Sequence, residues 1–380
     1  MKETSGKNLF LVTRLSQGGL ETYLLRFLRH ASRGDANFVF CRGGASGTLL
    51  NDFCTLGTRV LGWRTGYLDL FAYWRFFRFL RREKFNAICD FSGNFAALTL
   101  FCAKLAGVKI RIAQYRGAED HFRSTFLRRI YNHAMKWVTR TCATKIISNS
   151  AAAFDFFFPG SWRTDSKFRV IYNGVNVPEL LAARGDRAAL RAEFEIPANA
   201  FVVGHTGRYN YAKNHDTIVS VAIELCRKYS DVYFFLAGIG VPEVYAERVA
   251  REGLSGRILM PGFRNDVPRL LALMDVFYFP SLTEGQPNSL IEAEITGLPI
   301  VASDIAPIRE SVPESFISGL LPPTAVAAAV CELERLRSSE SARRKRVCAA
   351  WAAEKYDGNA RFEEFRKELE LESSTTKKKN

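Results

Sequence analysis

Long apolar runs are missing from this sequence. No stretch approaches the roughly 18–20 consecutive apolar residues that a membrane-crossing helix needs. The apolar run in the opening MKETSGKNLFLVT is also too short for a signal peptide. Paired cysteines are missing too. The eight cysteines (41, 54, 89, 102, 142, 226, 331 and 348) stand singly, with no CxxC pair and little histidine nearby. That spacing speaks against a zinc site or a disulfide framework, and the cysteines read as reduced core residues of a cytosolic protein. There is no DxD pair in a suitable loop, so no metal site is assigned. No helix-turn-helix, RRM or zinc-finger pattern is present, and nucleic acid is not an expected partner. No repeat of about 20–50 residues recurs.

Acids are scarce relative to bases. Lys and Arg number 53 against 39 Asp and Glu, for a net charge of +14 and a pI near 9.5. Such a balance attracts phosphates, whether of nucleic acid, anionic lipid or a diphosphate substrate. The hydrophobic share of 47% supports filled cores, and 380 residues exceed what one core usually serves. Two domains are expected.

In the first half, residues 9–13 read as a buried strand, after which Gly18 and Gly19 open a helix over 20–31. Paired glycines let a backbone approach an anionic ligand, and they serve equally as an ordinary strand-to-helix turn. Strands follow at 38–41 and 59–61. Residues 71–85, FAYWRFFRFLRREKF, hold seven aromatics and five basic residues against one acid. Tyr73, Phe77 and Leu80 share one helical face; Arg75, Arg78 and Arg82 share another. Residues 122–140 form a second basic helix with five Lys or Arg and no acid. Two readings stay open for these helices. They are either membrane-surface segments, with an anionic bilayer as partner, or ordinary cover for a sheet with Arg turned outward. Between them come a strand at 87–91, a helix at 94–106 and a strand at 109–113, with QYRGAEDHF at its end. Strands at 145–150 and 167–172 complete this half.

The charged run 179–195 reads as linker and surface helix. Strands at 201–206, 232–237 and 258–261 then alternate with helices at 214–228 and 266–274. The GIG loop, 238–240, reads as a glycine loop at phosphate height. Phe263 lies in a loop where a flat ring could stack under a nucleobase. Arg208 and Lys213, at a strand end ahead of a helix, form a cation pair suited to a diphosphate.

The stretch 277–310, FYFPSLTEGQPNSLIEAEITGLPIVASDIAPIRE, reads as strand, loop, helix and strand. The helix starts near Asn288 and runs to about Thr296. Glu284 sits in the loop and Glu292 in the second helical turn. Carboxylates accept hydrogen bonds from paired hydroxyls, and helix-start amides receive phosphate. Two glutamates alone would as readily be solvated charges.

Their frame, EGQPNSLIEA followed by GLPIVASD, resembles the paired-glutamate motif of the retaining glycosyltransferases of family four (group 1), of GT-B fold. GRYNYAKN at 207–214 resembles that family's phosphate-binding Arg and Lys, IYNGVN at 171–176 its interdomain segment, and GGLE at 18–21 its N-terminal glycine loop. The resemblance is dense over 170–310 and thin before 150.

It implies an α/β fold of two Rossmann-like domains facing across a cleft. Residues 1–175 would be the acceptor domain and 176–357 the donor domain; 358–371 would be a closing helix crossing back, and 372–380 a basic tail. It implies transfer from a UDP- or GDP-sugar to a hydroxyl of a polysaccharide, glycolipid or lipid-linked acceptor, without cofactor or metal. Arg208, Lys213 and Glu284 would be catalytic. The donor would be held by Gly18, Gly19, Arg208, Lys213, Phe263, Glu284, Gly285, Gln286, Asn288, Ser289, Leu290 and Glu292, with Glu292 on the ribose and Glu284 on the sugar. Gln114, Arg116 and His121 would line the acceptor side; Gln114 stands where the family usually has a histidine. The protein would be cytoplasmic, held peripherally on the cytoplasmic face of a membrane. Two alternatives are a non-catalytic GT-B protein that binds nucleotide or polyanion, and a sugar-nucleotide epimerase of the same fold.

Overall fold

The computed structural model describes residues 6–16, 18–31, 36–66, 69–117 and 126–370. The chain forms two compact units, residues 1–174 with 359–380, and residues 175–358.

In the first unit, strands β1 (Lys7–Val12), β2 (Ala36–Cys41), β3 (Arg59–Gly62), β4 (Ala87–Asp90), β5 (Ile110–Tyr115), β6 (Lys145–Ser148) and β7 (Phe168–Val170) form one parallel sheet in the order β3-β2-β1-β4-β5-β6-β7. Its helices are α1 (Gly19–Ala31), α2 (Leu50–Thr55), α3 (Leu70–Glu83), α4 (Ala97–Leu105), α5 (Phe126–Cys142) and α6 (Ala151–Phe157). The strands are apolar on both faces because both faces are covered. Along β1, Leu9 and Leu11 pack into a core with Phe76 and Leu80 of α3, Leu100 of α4 and Phe154 of α6. Phe10 and Val12 pack the other way, against Tyr23, Leu24 and Phe27 of α1.

In the second unit, β8 (Phe201–Thr206), β9 (Val232–Ala237), β10 (Ile258–Gly262), β11 (Val276–Phe279) and β12 (Ile300–Ala302) form a parallel sheet in the order β10-β9-β8-β11-β12. The helices are α7 (Val177–Ala182), α8 (Arg187–Glu193), α9 (His215–Lys228), α10 (Val241–Arg251), α11 (Val267–Leu270), α12 (Asn288–Ile295), α13 (Ala306–Ser311), α14 (Val326–Ser338), α15 (Glu340–Arg344) and α16 (Ala349–Lys355). The last helix, α17 (Gly358–Glu368), returns to the first unit. Phe362 and Phe365 of α17 pack edge-on against Phe27, with ring centroids 6.1 and 4.7 Å away, and Lys145 of β6 bonds Glu368 at 2.7 Å.

Several local expectations change. The charged run 179–195 holds most of α7 and all of α8, largely exposed helices in keeping with the surface-helix reading, and Leu190 of α8 reaches the core of the second unit. Arg191 is buried there, donating to the carbonyls of Leu273, Ala198 and Ala200 and to Asp275 at 2.8 Å. A charge pattern cannot reveal an arginine whose charge is satisfied inward. The segment 266–274 is a single turn followed by a 3-10 turn and not one helix. Cys54 and Cys331 are exposed, on the outer faces of α2 and α14, so they are not core residues. On α3 the buried residues are Ala72, Phe76 and Leu80, while Tyr73 and Phe77 are only half-buried. Gly238 of the GIG loop serves packing. A Cβ there would lie 1.9 Å from the Gly207 carbonyl oxygen, so glycine lets the loops after β8 and β9 touch.

Phe365 is fully buried between α1 and α17. Phe365→Ala should lower the unfolding midpoint of the first unit by the equivalent of about 3–5 kcal/mol. Denaturant titration followed by tryptophan fluorescence measures it, since Trp63, Trp74, Trp137 and Trp162 belong to that unit. An unchanged midpoint would mean that α17 contributes nothing to it.

Candidate functional site

In an open parallel sheet, ligands bind beyond the carboxyl ends of the strands, where the strand order reverses. In the second unit the chain runs from β8 out to β9 and β10, then returns to place β11 on the other side of β8. The reversal therefore falls between β8 and β11. The segment 207–214 leaves β8 and the segment 280–287 leaves β11, and both meet there.

Three bonds tie these two segments. Leu282 N–H donates to the Ala212 carbonyl at 2.8 Å. Asn214 Nδ2 donates to the carbonyls of Pro280 and Pro323 at 3.0 and 2.8 Å. Lys213 Nζ donates to Glu284 Oε1 at 2.6 Å. Asn214 can do this because its backbone is left-handed, with φ 55°, a conformation that asparagine tolerates better than most residues. Asn210 steadies the same turn by accepting from Lys213 N–H at 3.0 Å.

Lys213 and Glu284 are mostly enclosed, with side chains 16% and 11% exposed. The Lys213 ammonium also lies 4.6 Å from the Phe279 ring centroid. Arg208, on the same loop, is exposed and has no side-chain partner among the described residues. Gly285 and Gln286 continue the loop from Glu284, half-buried and buried respectively. No side chain caps α12, so the amides of its first turn, at Asn288, Ser289 and Leu290, face the loop without partners inside the helix. Glu292 is buried in the second turn of α12. Phe263 follows β10, two strands from β8, and its ring is half exposed.

Two imidazoles sit under the loop of residues 207–214. His205, at the end of β8, is buried and shares a hydrogen bond of 2.9 Å between Nδ1 and the Tyr278 carbonyl. That bond requires the proton on Nδ1. His215, first residue of α9, lies against it with ring centroids 5.1 Å apart. Burial holds both neutral, His205 far below the ordinary histidine range and His215 down to about 4. Two residues beyond Glu292, Glu294 is fully buried, and neither of its carboxyl oxygens has a hydrogen-bond partner among the described residues. Burial pushes its carboxyl well above the usual carboxylate range, so it is a neutral acid.

In the first unit the reversal of strand order falls between β1 and β4, and Gly18 and Gly19 follow β1 at that point. A Cβ on Gly18 would meet the Glu21 carboxylate at 2.5 Å. Gln114 is buried within β5, and its Oε1 accepts from Arg116 at 3.1 Å. Arg116 also donates to Asn173 and stacks 4.1 Å from the Tyr23 ring centroid. His121 lies outside the described residues. Among those residues, no group of three or more His, Cys, Asp or Glu could hold a metal ion.

Two family descriptions match this chain: "Glycosyltransferase Family 4" over residues 17–179 and "Glycosyl transferases group 1" over residues 200–336. The chain belongs to the group 1, family 4 glycosyltransferases. Its fold is GT-B. The Anabaena protein Alr3699/HepE, solved with UDP and glucose, superposes with a TM-score of 0.79 at 19% identity, over 96% of this chain and 99% of that one. EpsF of Bacillus subtilis (strain 168), which bears a glycosyltransferase name, is 27% identical over 84% of this chain and 83% of that protein. The UDP-Gal:alpha-D-GlcNAc-diphosphoundecaprenol alpha-1,3-galactosyltransferase of Escherichia coli is 28% identical over 60% of each chain.

Sequence reasoning about this glycosyltransferase missed Asn214, His205, His215 and Glu294. Asn214 had been read only as a helix start. The histidines carried a signal, since two of five fall within eleven residues around the loop. Glu294 carried none, because its neutral state follows from burial alone.

Glu294 has a sign-definite consequence for this glycosyltransferase. Its carboxyl holds a proton in the folded state that it releases when unfolded above about pH 4.3, so stability falls as pH rises through that range. Glu294→Gln removes this dependence. The melting temperature of the variant minus that of the wild type should grow from pH 4.5 to pH 8, as read by thermal unfolding. A difference flat across pH would overturn the assignment.

Proposed function

We propose that the protein moves a sugar from a nucleoside-diphosphate-sugar to an acceptor hydroxyl with retention of configuration. The supporting observation is the pair of tied loops after β8 and β11, which bring Lys213 beside Glu284 and leave Arg208 free. Lys213 neutralises Glu284. When the donor binds, its diphosphate takes Lys213 and Arg208, and Glu284 is released to accept from sugar hydroxyls. Glu292 accepts from the ribose, the first-turn amides of α12 receive phosphate, Phe263 stacks on the base, and Gly285 and Gln286 shape the sugar pocket.

The chemistry needs little more. The bond between the anomeric carbon and the diphosphate oxygen breaks, and the acceptor oxygen bonds to that carbon from the same face. Its proton passes to the departing diphosphate. Arg208 and Lys213 stabilise the charge growing on that group, the role a metal plays elsewhere. UDP-sugars are the favoured donors, in keeping with UDP in the Anabaena structure and the galactosyl donor of the E. coli enzyme.

The first unit would supply the acceptor side. Gly18 and Gly19 would admit the acceptor close to the backbone. Gln114 and Arg116, held in their own network, would act as positioning groups. The acceptor class we favour is a growing glycan or glycolipid carried on a lipid, with the protein held peripherally at the cytoplasmic face of a membrane. Among the described residues no helix is long and apolar enough to cross one.

Arg208→Ala and Glu292→Ala should each lower transfer about ten- to a hundredfold while leaving the melting temperature unchanged, as expected for a lost charged hydrogen bond. A thermal-shift panel of UDP-, GDP- and ADP-sugars should identify the base, and both variants should lose that shift. Normal turnover by either folded variant would refute the assignment. Wild-type transfer should survive excess EDTA. Its complete loss, restored by magnesium or manganese, would replace the cation pair with a metal.

A further inference from the structure

The two covers of the first sheet differ. Helices α3, α4, α5 and α6 lie on one face, α1 and α17 on the other. Among the described residues, all nine exposed large apolar side chains of the first unit belong to α3–α6. Leu70, Phe71 and Trp74 project from α3, Leu105 from α4, and Phe126 and Trp137 from α5; Phe71, Phe126 and Trp137 are 72%, 76% and 66% exposed. Helices α3, α4 and α5 are consecutive neighbours, so these side chains share one surface.

Charge follows the same division. Helices α3–α6 carry nine Lys or Arg and only two carboxylates, Glu83 and Asp155. Helices α1, α2 and α17 carry five Lys or Arg and five carboxylates. Among these helices, the net positive charge thus falls on the apolar side. A groove of about 700 Å³ runs along α3, lined by Trp63, Trp74, Phe77, Arg75, Arg78 and Arg81. Arg75 stacks 4.4 Å from the Trp63 centroid and Arg78 4.9 Å from that of Trp74. No carboxylate among the described residues pairs with Arg75, Arg78 or Arg81.

We propose that the outer face of α3, α4 and α5 docks on an anionic lipid bilayer. The apolar side chains would enter the interface, and the arginines would meet lipid phosphates. Protruding Leu, Phe and Trp beside unpaired Arg suit a surface that is apolar below and anionic at the headgroups. Nucleic acid would match the arginines but gain nothing from Leu70, Leu105 or Ile130. The proposal deepens the reading of a lipid-linked acceptor, since docking holds the enzyme where such a head group is presented. It rests on that reading for its purpose only, because vesicle binding needs neither donor nor turnover.

Vesicle flotation tests it with the full chain, using phosphatidylcholine alone and an equimolar mixture with phosphatidylglycerol. The wild type should float with the anionic vesicles, far less with the neutral ones, and less as salt rises. Arg75→Glu, Arg78→Glu and Arg81→Glu combined should weaken partitioning about a hundredfold, at roughly fivefold for each lost arginine. Phe71→Ser with Trp74→Ser should abolish the salt-resistant remainder. Arg184→Glu, Arg251→Glu and Arg344→Glu combined change net charge equally but lie in the second unit, and should leave partitioning within about twofold. All variants should keep the wild-type melting temperature and the thermal shift with UDP, which separates loss of docking from failure of the donor site. Equal flotation of wild type and the α3 triple variant would overturn the proposal. So would an equal loss in the second-unit control, or no flotation of the wild type at low salt, whatever its retention on nucleic acid.

Discussion

Asn214 ties together the loops at the strand ends of the second unit. Its amide bridges the ends of the loops after β8 and β11, and its left-handed backbone starts α9 in the direction the sheet requires. Neither carbonyl it serves has a strand partner to turn to. Without that bridge, the loop bearing Arg208 and Lys213 would be tied to the loop bearing Glu284 by one backbone bond and one ion pair. Replacing a buried amide leaves two carbonyls unsatisfied, at about 1–3 kcal/mol. Placement of the cations and the carboxylates is thus a single structural event.

The ion pair at that junction joins the two loops through opposite charges. Lys213 and Glu284 are mostly enclosed, and an unpaired charge in such a place is costly. Under the proposed function, a ligand would have to supply both a phosphate and hydroxyls to part them. A bare phosphate would satisfy the lysine and strand the glutamate. A bare sugar would do the reverse. On the proposed reading, the pair would favour a molecule carrying both groups.

Much of this was legible before any coordinates. Apolar runs ending in Gly, Pro or Asn marked nearly every strand of both sheets, because parallel strands covered on both faces must be apolar throughout. The spacing of Glu284 and Glu292, loop then helix, was readable for the same reason that helix starts are. The unreadable parts share one cause: polar groups satisfied inward. Arg191 looks like surface charge until its carbonyl partners are known. Arg116 looks like a free cation but is fixed by Gln114, Asn173 and Tyr23. Glu294 is written like any helix glutamate, and the burial that pushes its carboxyl well above the usual carboxylate range leaves no mark in the sequence. On α3 the sequence pattern missed Phe76, which is fully buried against the sheet, while Tyr73 is only half-buried beside it.

The return of α17 to the first unit fixes the order in which the two units can be completed on the ribosome. The second unit is one continuous segment and can close as soon as Gly358 has emerged. The first unit begins earlier, yet the sides of Tyr23 and Phe27 that meet α17 stay uncovered until Phe362 and Phe365 are made. The half synthesised first is therefore finished last. During that interval its aromatic seam is open to chaperones or to another nascent chain.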